Sequence, residues 1–175
     1  MNWTIDPAHT SATFAVRHMM ITNVRGEFQK VSGKVSYDPA KLDASRVEID
    51  LDATSINTRD PQRDTHLKSA DFLDVEQFPT IKFVSRSVKE AGAGKLKISG
   101  DLTIRGTTRE VTLDVEGPTP PHKDPWGNTR VGATATTKIR RSDYGVLWNT
   151  ALEAGGFLVG EEVTITADVS LIQDK

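Results

Sequence analysis

Alternation of apolar and polar residues is the feature that most constrains the fold of this chain. In residues 46–54, Val47, Ile49 and Leu51 fall on one face, while acidic and hydroxyl side chains fall on the other. This period of two predicts a strand with one dry face and one wet face. Similar patterns recur along the chain and give eight predicted strands, at residues 11–18, 28–37, 46–54, 80–89, 95–105, 110–116, 130–141 and 162–173.

The spacing of these segments predicts an all-β fold. Short connections such as the one at Gly106 favour antiparallel pairing, and a turn is also predicted at residues 23–26. Without strand–helix–strand alternation or an internal repeat, residues 1–175 are predicted to form a single domain. A sheet of this many strands closes into a barrel or folds into two layers. An eight-stranded barrel is either filled by its own side chains or holds one small ligand.

One stretch, residues 58–83, departs from the strand pattern. Asp60 suits the N-cap of a helix and Pro61 its first position. Pro79 ends the excursion before the next strand begins. We predict a short helical cap over one end of the barrel.

The composition argues against several classes of function. The 22 basic and 24 acidic residues give a net charge of -2, without the basic excess of a nucleic-acid surface. No run approaches the roughly 18 apolar residues of a membrane-spanning helix. Because the start shows no secretory signal, we expect a cytoplasmic protein, or a periplasmic one if a leader has been removed. The absence of cysteine excludes disulfides and cysteine metal sites.

The predicted inner face of residues 130–141 bears on whether the barrel is hollow. It carries small side chains such as Ala133 and Ala135, and Gly33 and Gly100 occupy inward positions elsewhere. Small residues leave room, and an empty apolar space is costly unless a ligand occupies it. The pattern favours an apolar cavity about as much as the alternative, in which aromatic side chains fill the interior.

Six sequence runs lie in order over nearly the whole chain: WTIDPAHTSATFAVRH, VRGEF, RDTHLKSADFLDVEQFPTIKF, GDLTIRGTTREVTLDV, DPWGNTRVGATATTKIRRSDYG and VGEEVTITADVSL. Together they resemble the YceI-like family of lipocalin-like barrels. The departures are small: Thr10 replaces a usual serine, and Leu73 and Tyr144 replace usual phenylalanines. The resemblance implies an extended antiparallel eight-stranded barrel whose apolar pore binds or carries a polyisoprenoid or similar long-chain amphiphile.

A lipid in such a pore would place its tail among apolar side chains. The predicted tail-binding residues are Phe14, Val16, Phe28, Val35, Val47, Ile49, Leu67, Phe72, Phe83, Leu96, Ile98, Leu102, Leu113, Ala133, Ala135, Ile139, Trp148 and Phe157.

The head group of that lipid would meet polar residues, for which we predict His18, Arg141 and Tyr144. If Ile139 faces inward, Arg141 shares its face, because residues two apart on a strand do so. An arginine on an apolar face needs a partner. That partner is expected to be Asp143, a tyrosine hydroxyl or the ligand.

Two other functions stay open from the sequence. A metal-dependent or hydrolytic enzyme would use His9 and His18, and an interaction module would have a filled core. No catalytic motif or metal-ligand spacing is visible, so we expect no enzymatic activity, no metal and no cofactor. A sheet edge could pair two copies into a homodimer.

Overall fold

The computed structural model describes residues 1–153 and 155–175. Its helix α1 spans Pro61–Lys68, and short 3-10 turns lie at Pro7–His9, Leu42–Ala44, Ala53–Ser55 and Arg141–Tyr144. Its strands are β1 (Asn2–Ile5), β2 (Ser11–His18), β3 (Thr22–Phe28), β4 (Val31–Ser36), β5 (Arg46–Asp52), β6 (Ile56–Asn57), β7 (Thr80–Glu90), β8 (Lys95–Ile104), β9 (Thr107–Glu116), β10 (His122–Lys123), β11 (Thr129–Arg140) and β12 (Val159–Gln173).

Eight of these strands close into an antiparallel barrel. The order around it is β1, β4, β5, β7, β8, β9, β11 and β12, and β12 pairs back to β1. Along the first part of β12, β2 replaces β1 as its neighbour, and β3 and β6 continue the sheet from β2. One strand position of the barrel is thus formed by two consecutive segments of the chain.

The turn between β2 and β3 is not where the sequence predicted it. Residues 23–26 belong to β3, and the chain reverses at residues 19–21, where Met19 and Met20 have φ angles of 51° and 62°. Gly26 lies directly opposite Phe14, whose ring occupies the space that a Cβ on Gly26 would need. The glycine therefore accommodates a large neighbour within a strand and does not mark a turn.

Helix α1 begins as predicted. The Asp60 carboxylate accepts hydrogen bonds from the backbone N–H groups of Gln62 and Arg63, both at 3.1 Å, and Pro61 is the first residue of the helix. These bonds satisfy donors that a helix start leaves free. The predicted all-β barrel with a short helical cap is confirmed. In the part of the chain that the structure describes, no helix is both long and apolar enough to cross a membrane.

The end of the barrel away from α1 is solid. A compact cluster there comprises Trp3, Ile5, Val31, Val131 and Leu171, each at most 7% exposed. Burying several large apolar side chains at one place contributes roughly 1.5–3 kcal/mol for each of them. This cluster closes the far end of the interior.

A network of charges lies beside that cluster. Arg130 of β11 donates to the carboxylates of Asp6 and Asp124, and Asp6 also contacts His9 at 2.7 Å. The Arg130 guanidinium, followed by His9, lowers the pKa of the Asp6 carboxyl, and Arg130 lowers that of Asp124 as well. The network ties the first residues of the chain to β11 and to the loop before it.

Candidate functional site

The barrel encloses a cavity of about 650 Å³ between α1 and the solid far end. Side chains from several strands form its wall, among them Phe14 of β2, Leu102 of β8, Ile139 of β11 and Val163 of β12. Ligand pockets in proteins commonly have volumes of about 300–1,000 Å³. The cavity is therefore large enough for one small lipid.

A row of alanines explains why this space is open. Ala135 of β11 pairs with Ala167 of β12, which pairs with Ala12 of β2, and all three line the cavity. Directly paired residues share one face of a sheet, so three adjacent strands present only methyl groups at the same level. The predicted small inner face of β11 is part of the reason for the cavity, and its neighbours supply the rest.

The two glycines expected to open the interior do not line the cavity. A Cβ on Gly33 would meet the Glu48 carbonyl and Ile5, and one on Gly100 would meet Phe83 and the backbone of β7. Both glycines permit close packing of neighbouring groups. That expectation was wrong because inward direction alone does not show what stands opposite.

Twelve of the eighteen predicted tail-binding residues line the cavity. Their contact with a ligand stays a prediction. These twelve are Phe14, Val16, Phe28, Ile49, Leu67, Phe72, Phe83, Leu102, Leu113, Ala135, Ile139 and Trp148.

The other six predicted tail residues lie away from the cavity wall. Val47, Leu96 and Ile98 are buried where the barrel is filled by side chains, and Val35 and Ala133 pack against that core. Alternation shows which side chains face inward, but it does not show which part of the interior is filled. The sixth of these residues, Phe157, has a side chain that is 58% exposed.

The inner face of β12 was missed as part of the site. Val163, Ile165, Ala167 and Val169 all line the cavity. Their period of two was visible in the sequence and would have identified them. Alternation within one strand identifies its inner face but does not reveal which other strands that face meets across the barrel.

Arg141 points inward as predicted, and within the described part of the protein it binds backbone carbonyls and neither Asp143 nor a tyrosine hydroxyl. Its residue is 6% exposed, and its guanidinium donates to the carbonyls of Gly160 at 2.8 Å and of Val146 and Trp148 at 2.9 Å. A longer bond of 3.4 Å reaches the Val159 carbonyl. Burial lowers the pKa of this guanidinium. Arg141 therefore holds the segment between β11 and β12 in place.

The other two predicted head-group residues also line the cavity. Tyr144 is 1% exposed, and its hydroxyl has no hydrogen-bond partner among the described residues. Burial raises the pKa of Tyr144 to about 12, so this phenol is neutral at ordinary pH. His18 ends β2 and pairs with Val159 at the start of β12. Whether either contacts a head group stays a prediction.

Polar residues surround the opening of the cavity. Arg17 and Gln62 line the cavity and are also exposed, which places the opening between the end of β2 and α1. Arg63 donates to the Thr58 hydroxyl at 2.8 Å and to its carbonyl at 2.7 Å, and lies 4.0 Å from Asp60. The first turns of α1 thus form an ordered polar cover beside an apolar interior.

Aromatic contacts hold this cover against the barrel. The His66 ring of α1 packs edge-to-face with the rings of Phe72 and Trp148. The ring centroids are 5.0 Å and 4.8 Å apart, and both interplanar angles are 85°. His66 also contacts the Asp71 carboxylate at 2.9 Å. Such edge-to-face pairs contribute about 0.5–1.5 kcal/mol each.

The two histidines of the enzymatic alternative lie at different levels of the barrel. His9 contacts Asp6 beside the far cluster, whereas His18 lines the cavity near α1. The two residues are nine positions apart along the chain, a span of roughly 30 Å if it is extended. Among residues 1–153 and 155–175, no three His, Asp or Glu side chains converge as metal ligands would.

Comparison with protein families identifies the group to which this barrel belongs. A family model described as the YceI-like domain matches residues 3–171. The chain belongs to the YceI-like family. A UPF0312 protein of Staphylococcus aureus strain MSSA476 is 38% identical over 167 residues, covering 95% of this YceI-like chain and 94% of the relative. A UPF0312 protein of Vibrio cholerae strain ATCC 39541 is 37% identical over 139 residues, covering 79% of this chain and 73% of the relative.

Solved structures share the architecture of this YceI-like barrel. BcnA of Burkholderia cenocepacia superposes with a TM-score of 0.80 at 25% identity, covering 95% of this chain and 98% of BcnA. A polyisoprenoid binding domain from Saccharophagus degradans superposes with a TM-score of 0.71 at 12% identity, covering 98% of both chains. The second likeness concerns the fold alone.

Proposed function

We propose that this chain binds and carries a long-chain amphiphilic lipid of the polyisoprenoid type, with the tail in the barrel. The row formed by Ala135, Ala167 and Ala12 supports this most directly, because it leaves an apolar space without a protein side chain in it. Burial of the tail supplies about 0.8 kcal/mol for each CH₂, less the cost of ordering the chain. The polyisoprenoid binding domain of Saccharophagus degradans, which shares the fold, gives this ligand class further support.

The volume of the cavity limits the length of tail that it accepts. At about 30 Å³ for each heavy atom, the share of a water molecule in the liquid, the space holds roughly twenty heavy atoms. A longer prenyl chain would leave its remainder and its head group at the opening near Arg17 and Gln62. Arg141 then acts as a positioning residue, since most of its N–H groups already bind carbonyls.

Native mass spectrometry of the purified protein, with organic extraction of the same sample, tests this proposal. We expect an added mass that extraction removes and that identifies as a prenyl or other long-chain amphiphile. Delipidated protein should then bind geranylgeraniol one to one. A protein that is free of ligand as purified and binds neither geranylgeraniol nor a longer polyprenol contradicts the proposal.

Two further expectations accompany this function as predictions. Cell fractionation checks the cytoplasmic location, and sedimentation velocity checks whether two copies pair as a homodimer. A filled-core interaction module is not supported, because the interior holds the cavity described above.

A further inference from the structure

Large apolar side chains on the surface of this protein are concentrated at one end. Five of the seven that are exposed among the described residues are Met19, Met20, Ile21, Leu147 and Phe157, at 43%, 61%, 68%, 67% and 58% exposure. We call these five the apolar rim. The other two, Met1 and Trp126, lie elsewhere on the barrel.

The residues of the apolar rim lie at the same end of the barrel, beside the cavity. The Met19 N–H donates to the Leu158 carbonyl at 2.8 Å, and the Met20 sulfur lies against Gly156, next to Phe157. Leu147 stands between two residues that line the cavity, Val146 and Trp148, so it belongs to the same end.

The turn that carries the first three rim residues keeps them out of the core. Met19 and Met20 both have positive φ angles, which residues with side chains rarely adopt. Isolated exposed hydrophobic residues are ordinary, but several together at one place mark a contact surface. Non-glycine residues with positive φ angles, such as Met19 and Met20, cluster at binding and active sites.

The charges around this turn point to the occupant. Arg17 and Arg25 flank it, both are exposed, and no acidic residue lies in residues 17–25. The segment of the other two rim residues, 146–160, carries Glu153 as its one charged residue, so basic residues prevail over the rim as a whole. An apolar tip between basic residues matches the interface of an anionic bilayer, where apolar groups enter the acyl boundary and arginines meet the lipid phosphates.

We propose that the apolar rim docks onto the surface of an anionic phospholipid bilayer and brings the opening of the cavity against the hydrocarbon. A tail would then pass between bilayer and barrel without entering water. Exposure of each CH₂ to water would cost about the free energy that its burial in the barrel gains. This inference rests on the proposed lipid-binding function. Docking itself needs only the surface residues and is measured separately.

Flotation of the delipidated protein with vesicles tests the docking. One vesicle population contains phosphatidylcholine with phosphatidylglycerol, and the other contains phosphatidylcholine alone. We expect binding to the anionic vesicles that high salt weakens. Ile21→Asp should lower this binding roughly tenfold or more, since it places a charge where the docked protein would bury an apolar side chain in the bilayer. Arg25→Gln should lower it by a smaller factor.

Trp126→Ser provides a matched control. Trp126 is 79% exposed, but it lies before β11, whose twelve residues span about 40 Å from there to the cavity opening. This variant should bind vesicles within about twofold of the parent, a change of less than 0.5 kcal/mol. If Ile21→Asp also floats like the parent, or if Trp126→Ser loses binding equally, the docking proposal is wrong.

Two further readouts separate docking from ligand binding. Geranylgeraniol delivered without vesicles should bind Ile21→Asp as it binds the parent, whereas transfer from anionic vesicles should be slowed. If neither protein binds geranylgeraniol, the proposed function fails whatever the flotation result. If the parent forms a dimer that Ile21→Asp dissociates and does not float, the rim is a contact between copies and the membrane proposal is overturned.

Discussion

Ala135 of β11 lies directly opposite Ala167 of β12 on the wall of the cavity. Two methyl groups at paired positions leave a space that larger side chains would fill, and Ala12 extends this space onto β2. The main open volume of the barrel is therefore set by the register of three strands. Changing one of these side chains should change the space available to a ligand.

Filling the wall should weaken binding of the tail. We expect Ala135→Phe to weaken geranylgeraniol binding by about tenfold or more, because the ring displaces several methylenes worth roughly 0.8 kcal/mol each. A change in the fluorescence of Trp148, which lines the cavity, reports the binding. Thr136→Phe, on the exposed face of the same strand, is the matched control and should bind normally. Equal binding by both variants would place the ligand outside the barrel.

The affinity for prenyl alcohols should rise with length and then level off. From geraniol to geranylgeraniol each added methylene enters the apolar cavity and gains about 0.8 kcal/mol before ordering costs. Beyond roughly twenty heavy atoms the chain has left the enclosed volume, so a longer polyprenol should bind little more tightly. Displacement of a fluorescent fatty acid, followed by its fluorescence, measures the series. A steady rise through the longest chain would mean that the cavity extends on binding.

Replacing Arg141 should mainly lower stability. Arg141→Met removes three charge-assisted bonds of 2.8–2.9 Å and leaves one buried and two partly buried carbonyls without donors, which we expect to cost about 3 kcal/mol or more. For a chain of this size that corresponds to a fall in melting temperature of about 10 °C. Thermal denaturation checks it.

Substitutions of Arg141 also distinguish a role in holding the segment between β11 and β12 from a direct contact with the lipid head group. Arg141→Lys keeps the charge but cannot span three carbonyls with a planar fork, so it should be destabilised as well. If Arg141→Met melts normally but loses affinity for charged lipids, Arg141 contacts the head group and is not a positioning residue.

Acid should destabilise the far end of the barrel through Asp6 and Asp124. Arg130 lowers the pKa of both carboxyls below their usual value of about 3.9, so the folded protein binds fewer protons than the unfolded chain as the pH falls. The stability that they contribute is complete above about pH 5 and is lost as the pH falls through the folded pKa values. Urea unfolding across this range measures it.

Substitution of Arg130 identifies the source of this pH dependence. Arg130→Gln should lower stability near neutral pH and flatten its dependence on acid. Lys138→Gln is the control, because the Lys138–Glu162 pair at 3.7 Å is about two-thirds exposed on both sides and such pairs contribute little. An unchanged acid profile in Arg130→Gln would assign the sensitivity to other carboxyls.

Gly26→Ala should be costly although Gly26 lies within a strand. Its Cβ would collide with the Phe14 ring and the Thr58 methyl, and overpacking of this kind costs about 1–3 kcal/mol. Gly132→Ala is the matched control, since a Cβ there meets only ordinary contacts at 3.7 and 4.0 Å. Denaturant unfolding of the two variants checks the difference. Equal stability would show that Phe14 moves freely into the cavity.

The amino-acid sequence by itself determined most of the strands, the helical cap and the inward direction of Arg141, whereas β1 was not predicted and residues 23–26 of β3 were predicted as a turn. Period-two alternation, the Asp60-Pro61 start of a helix and the position of Arg141 two residues after Ile139 are local patterns, and local backbone geometry converts them directly into structure. These predictions needed no knowledge of what lies across the barrel.

Only the tertiary structure decided where the interior is hollow and what each inward residue meets. Gly33 and Gly100 face neighbouring groups that occupy their space, while Ala135 faces Ala167 and leaves it open. Arg141 binds carbonyls from a segment that follows it in the chain. Such outcomes depend on the register and closure of distant strands, because a cavity is a property of the side chains that meet across it.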